Sequence, residues 1–341
     1  MPDTMPPSRV IRCTQHPGKL DSKALEPVDQ LLLILPERIP AALWKRIPQG
    51  SRLQALLKKR AKGELPALQT RLSNKRQTLV VAGRIKPGED AFARLSFARR
   101  LVGSALGEKA GSLGIAILGF DSDNERDLAE AAVAAALAAS FNLPEFKEKP
   151  TPPRVRSVRL LGLAEHIDLD RTIAEAKGNN LARWLTALPP NVLDAANYAD
   201  GLKKLAAEHG WQFKRYSTKE LEKMGAGAFL AVAQGNDNDS ASIVRLRYRP
   251  GKASAKPDLS LVGKGIIFDT GGTNLKPFEY MLDMHGDMQG SAVALGTLLA
   301  ISELGLPIAV DCWLAPVSYT HLRAHETYLL ISYAVFCLIK G

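Results

Sequence analysis

The chain alternates short apolar runs with longer segments in which apolar residues recur every three or four positions. The short runs have the length of buried strands, as in "VDQLLLILP" at 28–36. The longer segments have the spacing of amphipathic helices, as in residues 90–106, where Asp90 is suited to cap the first turn. Because strand and helix patterns alternate, the sequence predicts an α/β fold built in layers.

A charged stretch with several prolines at 144–156 interrupts this alternation and predicts a connection between two domains. We expect a leader at 1–26, an N-terminal α/β domain at 27–150, and a C-terminal α/β/α domain with a mixed sheet at 157–316. A length of 341 residues agrees with about two domains. Strand patterns of the second domain lie at 211–217, 228–235, 242–250, 258–269 and 307–316.

The positive charge is concentrated in the first half of the chain. The net charge is +10, and residues 1–160 carry 27 Lys+Arg against 16 Asp+Glu. A basic surface favours nucleic acid or an acidic partner, so a non-enzymatic nucleic-acid-binding protein is one alternative. No nucleic-acid-binding motif accompanies the charge, and a basic surface that merely aids solubility explains it more simply.

Targeting signals and cysteine usage indicate a cytoplasmic protein. The N-terminus lacks the apolar segment of a signal peptide, and no run reaches the roughly 18 apolar residues of a membrane helix. Cys13, Cys312 and Cys337 are far apart and have no metal-binding spacing. We therefore expect a reducing compartment and no association with a membrane.

The stretch "LVGKGIIFDTGGTNLKP" at 261–277 places charged residues around a strand. Lys264 lies within the apolar run, Asp269 ends it, and Lys276 follows two glycines that permit a tight turn. Asp287 comes next, just ahead of a helical pattern. Ligands bind at the carboxyl ends of strands in open α/β sheets, so we expect these four side chains at one edge.

Two explanations fit this charged cluster. Hard carboxylates suit Mn²⁺, Mg²⁺ or Zn²⁺, and a metal beside Lys264 would favour its neutral amine, which can donate a lone pair. Lys276 could then stabilise the oxyanion of a reacting carbonyl. The alternative is a surface ion-pair network in which the glycines serve only the turn.

The motif "VGKGIIFDTGGTNLKP" followed by "MHGDMQGSAVALG" closely resembles the leucyl aminopeptidases, the M17 family of metallopeptidases. The resemblance extends over about 172–316 and includes "GAGAFLAVAQGN" and "IVRLRYRP" in the same order. It implies a catalytic C-terminal domain that removes N-terminal amino acids from peptides by means of a water activated between two metal ions. It also implies a homo-hexamer.

The resemblance assigns roles to individual residues. Lys264 would bind one metal, Asp269 would bind or bridge both, and Asp287 would bind one, with Mn²⁺ or Zn²⁺ as the metal. Lys276 would be the catalytic residue that polarises the scissile carbonyl. His285 is not a ligand in the family pattern, and we interpret it as a structural or supporting residue. Met284 and Met288 are interpreted as packing residues.

The resemblance ends near Pro316. The family has an "NTDAEGR"-type loop whose Asp and Glu complete the metal site and whose Arg binds a bicarbonate, and this sequence contains no such loop. Residues 317–341 include "SYTHLRAHET", which resembles a translated sequencing adapter. We therefore expect the catalytic domain to be incomplete, the tail to be non-native, and this chain as written to be nearly inactive.

Two other metal or protease patterns are weaker. His321 and His325 are four residues apart, with Glu326 beside them, but Leu322 stands where the H-E-x-x-H pattern requires Glu. "IIFDTGG" contains the Asp-Thr-Gly of aspartic proteases, which need two such aspartates sharing one proton. The chain has one Asp-Thr-Gly, and the flanking lysines would disturb a shared proton.

Overall fold

The computed structural model describes residues 4–7, 11–59, 66–106, 111–149, 155–234, 236, 240–251, 256–272 and 274–318. These residues form two compact units. The N-terminal unit contains the described residues of 8–142 and 151–176, and the C-terminal unit those of 1–7, 143–150 and 177–341. Both are α/β structures with mixed sheets, which confirms the predicted fold class.

The N-terminal unit is a six-stranded sheet with helices on its faces. Its strands are β1 Arg12–Pro17, β2 Gln30–Pro36, β3 Leu68–Arg71, β4 Leu79–Ile85, β5 Ser112–Ile117 and β6 Ser157–Leu163. Its helices are α1 Ala41–Trp44, α2 Gly50–Lys58, α3 Ala91–Ala105 and α4 Ser122–Ser140. The strand order is β1-β6-β5-β2-β4-β3, and all neighbours are parallel except the pair β3 and β4.

After Gln30, strand β2 is a continuous apolar run because both of its faces are covered. Leu32 and Ile34 pack in a cluster with α3 and α4, while Leu31 and Leu33 pack with α1 and α2 on the other side. Parallel strands buried on two faces have continuous apolar runs rather than alternating ones. Helix α3 begins after Asp90, whose side chain accepts a hydrogen bond from the amide of Ala93 at 2.7 Å, as predicted.

Two elements of this unit lie in segments that the composition assigned elsewhere. Strand β1 falls inside the predicted leader, and it pairs in parallel with β6. Strand β6 falls in the predicted second domain, yet it lies between β1 and β5 in the first sheet. The boundary between the compact units lies between Ala176 and Lys177, inside helix α5 (Asp170–Ala187).

Asp29 directly precedes β2 and forms hydrogen bonds with residues at the starts of β4 and β5. Its Oδ2 accepts hydrogen bonds from the amides of Gly111 at 3.1 Å and Ser112 at 2.9 Å, and its Oδ1 accepts one from the guanidinium of Arg76 at 2.7 Å. Its backbone carbonyl accepts from the amide of Leu79 at 3.0 Å. One side chain thus joins the segments that lead into β2 and β5.

We expect Asp29→Ala to lower the free energy of unfolding by about 1–3 kcal/mol, because it leaves the amide donors ahead of β5 without an acceptor. Urea denaturation measures the change. Asp21→Ala is the matched control, since Asp21 accepts one backbone hydrogen bond, from Ala24, in an exposed turn. Equal losses for the two variants would contradict the structural role of Asp29.

The C-terminal unit contains a four-stranded sheet in the order β7-β8-β10-β9. Its strands are β7 Gln212–Ser217, β8 Ser242–Tyr248, β9 Leu259–Ile266 and β10 Val310–Val317. Its helices are α6 Ala195–Glu208, α7 Thr218–Lys223, α8 Gly227–Ala233, α9 Phe278–Met281 and α10 Gln289–Glu303, with one turn of 3₁₀ helix at Met284–Gly286. Strand β10 pairs antiparallel with β8 and parallel with β9, so the sheet is mixed as predicted.

One predicted strand of this unit is wrong. Residues 228–233 of the predicted strand at 228–235 belong to helix α8 instead, and Phe229 packs there in an apolar cluster with Leu221 and Ile243. Short apolar runs do not by themselves distinguish a strand from a buried helix turn.

Among the described residues, no helix is both long enough and apolar enough to cross a membrane.

Candidate metal centre

Strand β9 carries Lys264 close to its carboxyl end. Lys264 lies opposite Ala315 in the parallel pairing with β10, and its side chain is partly exposed. Its neighbours Gly263 and Gly265 have no side chain, and a Cβ on Gly265 would lie 2.6 Å from the carbonyl oxygen of Ala315. The glycines therefore let other backbone segments approach the strand closely on both sides of the lysine.

Helix α10 uses this space to lie directly against β9. A Cβ on Gly263 would lie 2.4 Å from the Cα of Ser291, and a Cβ on Gly290 would lie 3.2 Å from the amide nitrogen of Lys264. Only glycine fits at such a contact between two backbones. Because Asp287 precedes α10 by two residues, this contact brings it next to Lys264.

Lys264 and Asp287 form an ion pair. The Nζ atom of Lys264 donates to Oδ1 of Asp287 at 2.9 Å and lies 2.8 Å from Oδ2. Oδ2 is buried and receives no well-directed hydrogen bond from the described part of the chain. A buried carboxylate oxygen that lacks a hydrogen bond is costly, and binding of a cation would compensate it.

Asp269 and Lys276 form a second ion pair across the loop that follows β9. The Nζ atom of Lys276 donates to Oδ2 of Asp269 at 2.6 Å, and the amide of Gly271 donates to Oδ1 at 2.8 Å. Gly271 and Gly272 adopt φ angles of 88° and 67°, which favour glycine. The carboxylate of Asp269 is largely buried, with 13% of its side chain exposed.

Met284 connects the two ion pairs. Its Sδ atom lies 3.0 Å from Nζ of Lys276. Met284 is also the first residue of the 3₁₀ turn, and Asp287 directly follows the last. Met288 is fully buried, as expected of a packing residue. The ring of His285 lies 3.3 Å from the carbonyl oxygen of Leu282, and its supporting role stays a prediction.

The structure thus places all four predicted residues around one end of β9, as two lysine–carboxylate pairs. Among the described residues, no group of three His, Cys, Asp or Glu side chains is arranged to hold a metal ion. Two carboxylates and one amine nitrogen fit a single hard cation, while two closely spaced dications require more anionic ligands. His321, His325 and Glu326 lie outside the described residues.

Sequence reasoning did not identify the residues that hold this arrangement in place. Gly263 and Gly290 were not distinguished from other glycines, because the need for a close backbone contact is visible only when β9 and α10 are adjacent. Sequence reasoning also did not single out Tyr198 and Ser291, two buried residues whose hydroxyls are hydrogen-bonded to each other. A polar residue on the apolar face of a helical pattern was the available signal in both cases.

Comparison with known proteins relates the second half of the chain to one family. Residues 180–320 match the model of the cytosol aminopeptidase family, catalytic domain. A probable cytosol aminopeptidase of Stutzerimonas stutzeri (strain A1501) is 44% identical over 178 residues, which are 50% of this chain and 36% of that protein. One of Solibacter usitatus (strain Ellin6076) is 35% identical over 225 residues, or 64% of this chain and 46% of that protein. The matched segment therefore spans less than half the length of these relatives.

Solved structures show the same fold. A variant of tomato leucine aminopeptidase superposes with a TM-score of 0.76 at 18% identity, covering 95% of this chain and 66% of that one. The bottromycin maturation enzyme BotP, in complex with Mn, superposes with a TM-score of 0.69 at 22% identity, covering 88% and 61%. The matches give no support to the nucleic-acid-binding and aspartic-protease alternatives.

Proposed function

We propose that this chain is part of a metal-dependent aminopeptidase that releases N-terminal amino acids from peptides, since residues 180–320 match the model of the cytosol aminopeptidase family, catalytic domain. The observation that carries the proposal is the pair of lysine–carboxylate contacts at the end of β9, Lys264 with Asp287 and Lys276 with Asp269. Burying such charges carries a desolvation cost, which a highly charged ligand such as a metal ion would help to offset.

Three side chains would hold the metal. Asp269 and Asp287 offer carboxylate oxygens and Lys264 an amine nitrogen, and the buried Oδ2 of Asp287, 2.8 Å from Nζ of Lys264, receives no well-directed hydrogen bond within the described residues. A bound divalent metal supplies Lewis acidity and a water that is deprotonated at neutral pH. A metal held by Asp269 would compete with Lys276 for its carboxylate, whose Oδ2 accepts a hydrogen bond from Lys276.

Lys276 would act on the substrate rather than on the metal. Once Asp269 is engaged by a cation, the Nζ of Lys276 can turn to the scissile carbonyl and donate a hydrogen bond to the oxygen on which negative charge develops. Met284, 3.0 Å from this nitrogen, bounds the space in which it can move. The chain thus provides metal ligands and an oxyanion donor from one loop and one strand end.

Several finer features belong to the same proposal. We infer two metal ions, Mn²⁺ or Zn²⁺, with the remaining carboxylate ligands contributed from outside the described residues. A bicarbonate at the site would need an arginine that the resemblance places in the "NTDAEGR"-type loop. A homo-hexamer follows from the resemblance, the name of the relatives, cytosol aminopeptidase, supports a cytoplasmic location, and BotP with bound Mn supports Mn²⁺ as the first metal to test.

The test is hydrolysis of an aminoacyl-anilide by the product of the complete gene, with the 341-residue chain assayed in parallel. Dialysis against a chelator should remove most of the turnover, and added Mn²⁺ or Zn²⁺ should restore it. Asp287→Asn should raise the metal concentration needed for half-restoration, because it removes an anionic ligand. We expect little turnover from the 341-residue chain, whose described residues supply two of the carboxylates.

Activity that survives chelation would contradict the proposal, and inhibition by a pepstatin-type compound at acid pH would favour the aspartic-protease alternative. Asp283→Asn is the matched control for Asp287→Asn. Asp283 is a neighbouring aspartate for which the described residues show no ion pair, and we expect its replacement to leave the metal requirement unchanged.

A further inference from the structure

A chain of buried hydroxyl groups lies behind the ion pair of Lys264 and Asp287. The hydroxyl of Tyr198, on α6, donates to Oγ of Ser291 at 3.1 Å. Oγ of Ser291, in the first turn of α10, donates to the carbonyl oxygen of Met288 at 2.7 Å. All three residues are fully buried.

The carbonyl of Met288 holds the first turn of α10. It accepts the amides of Ser291 at 3.0 Å and Ala292 at 3.3 Å in addition to the Ser291 hydroxyl. Met288 directly follows Asp287, so the position of the Asp287 backbone depends on how firmly this turn is held. The amide of Asp287 in turn donates to the carbonyl of Met284 at 3.2 Å.

The direction of this hydrogen-bond chain is fixed. A carbonyl can only accept, so the Ser291 proton must point to Met288, and Oγ must then accept from Tyr198. Burial raises the pKa of the Tyr198 hydroxyl, which therefore keeps its proton and remains a donor over the whole working pH range. A fully satisfied buried network of this kind rigidifies the groups that it joins.

We propose that Tyr198 is a positioning residue for the metal site, whose hydroxyl, through Ser291 and the Met288 carbonyl, holds the turn that presents Asp287 to Lys264. This inference rests on the proposed role of Asp287 as a metal ligand. Residues that hold a metal-ligating side chain in position raise the affinity for the metal. A ligating side chain that is already held in place loses less conformational entropy when the metal binds.

The variant Tyr198→Phe keeps the buried ring and removes one oxygen. Ser291 Oγ then has no donor in the described surroundings, and its remaining hydrogen bond to the Met288 carbonyl is no longer oriented by a hydroxyl behind it. We expect the dissociation constant for Mn²⁺ to rise about 10-fold, at the lower end of the range for groups that support metal ligands. Ser291→Ala should have a similar effect, because it breaks the same chain at its second member.

The experiment titrates the purified 341-residue chain with Mn²⁺ alone and follows free Mn²⁺ by electron paramagnetic resonance. The variants are Tyr198→Phe, Ser291→Ala and the double variant, whose loss should equal that of either single change if the two hydroxyls act as one unit. Absorption spectra of the Co²⁺-loaded chain report the ligand geometry independently, and we expect the d–d bands of the two variants to shift alike.

Two matched controls remove hydroxyls with the same kind of bond elsewhere in the unit. Ser302→Ala deletes a hydroxyl that donates to the carbonyl of Leu299, three residues back in the same helix, at 3.0 Å. Tyr248→Phe deletes one that donates to the carbonyl of Leu306 at 3.2 Å. Neither should change the Mn²⁺ affinity or the Co²⁺ spectrum.

The outcomes separate this inference from the proposed function. If the unmodified chain binds no Mn²⁺, or if Asp287→Asn leaves binding unchanged, the proposed site itself is wrong. If Asp287→Asn weakens binding while Tyr198→Phe and Ser291→Ala leave both affinity and spectrum unchanged, only the positioning role is overturned. Should Tyr198→Phe fail to fold, Ser291→Ala, which removes the hydroxyl of a smaller side chain, decides the matter.

Discussion

Lys276→Ala is expected to lower kcat for peptide hydrolysis by about 10²–10³, the typical loss when one oxyanion donor is removed. The proposed role of Lys276 is to donate to the reacting carbonyl, so its removal raises the energy of the transition state. KM should change much less, because the lysine contributes little to binding in the ground state. Steady-state kinetics of the product of the complete gene, with saturating Mn²⁺, measure both constants.

The same variant should not weaken metal binding. Nζ of Lys276 donates a hydrogen bond to Oδ2 of Asp269 at 2.6 Å and so competes with any cation for that oxygen. Its removal should leave Mn²⁺ affinity equal or higher, whereas Lys264→Ala should lower it, since Lys264 is the proposed ligand. Two lysines with the same kind of carboxylate partner are thus predicted to have opposite effects on metal affinity.

Lys177→Ala is the matched control, because Lys177 pairs with the carboxylate of Glu303 outside the proposed site. It should leave both kcat and metal affinity unchanged. Full activity of Lys276→Ala would remove this lysine from the mechanism. A parallel fall in Mn²⁺ affinity and in kcat would instead mean that Lys276 supports the metal site and has no separate role in catalysis.

Gly263→Ala is expected to destabilise the C-terminal unit by about 3 kcal/mol, at the upper end of the usual cost of overpacking a core. The added Cβ would lie 2.4 Å from the Cα of Ser291 and 2.8 Å from the carbonyl oxygen of Gly290. Both are backbone atoms, so no side-chain rotation relieves the clash, and α10 must move away from β9. Urea denaturation followed by tryptophan fluorescence measures the loss.

Movement of α10 should also separate Asp287 from Lys264, so Gly263→Ala should weaken Mn²⁺ binding even where the chain remains folded. Gly227→Ala is the control in the same unit, because a Cβ at Gly227 meets no atom within 4 Å. That change should be neutral or stabilising by up to about 1 kcal/mol, the usual advantage of Ala over Gly in a helix. Equal stability of the two variants would show that the contact between β9 and α10 is looser than described.

Local patterns predicted the elements with long, regular periodicity. The continuous apolar run of β2 and the Asp90 cap of α3 follow from the chemistry of a few neighbouring residues, and both are confirmed. Helix α8 was predicted as a strand, because its apolar run is too short to show a helical period. Strand β3, four residues long with two exposed side chains, has almost no pattern to detect.

Residue types and their order along the chain predicted that charged side chains gather at the end of β9. A strand that contains Lys264 and ends near Asp269, followed by glycines and Lys276, indicates charge gathered at a strand end whatever the surrounding fold. The sequence did not predict which lysine forms an ion pair with which aspartate. The partner of Lys264 is Asp287, 23 residues further along the chain, and the partner of Lys276 is Asp269, seven residues before it.

Local sequence patterns therefore specify the α/β class, most of the strands and helices, and the four charged residues of the proposed site, because each is encoded by neighbours within a few positions. How these residues meet depends on the tertiary structure. The contact of Gly263 with Ser291 and the hydroxyl chain from Tyr198 join segments tens of residues apart. Such contacts depend on how β9, α6 and α10 pack, and packing is set by the whole unit rather than by any local pattern.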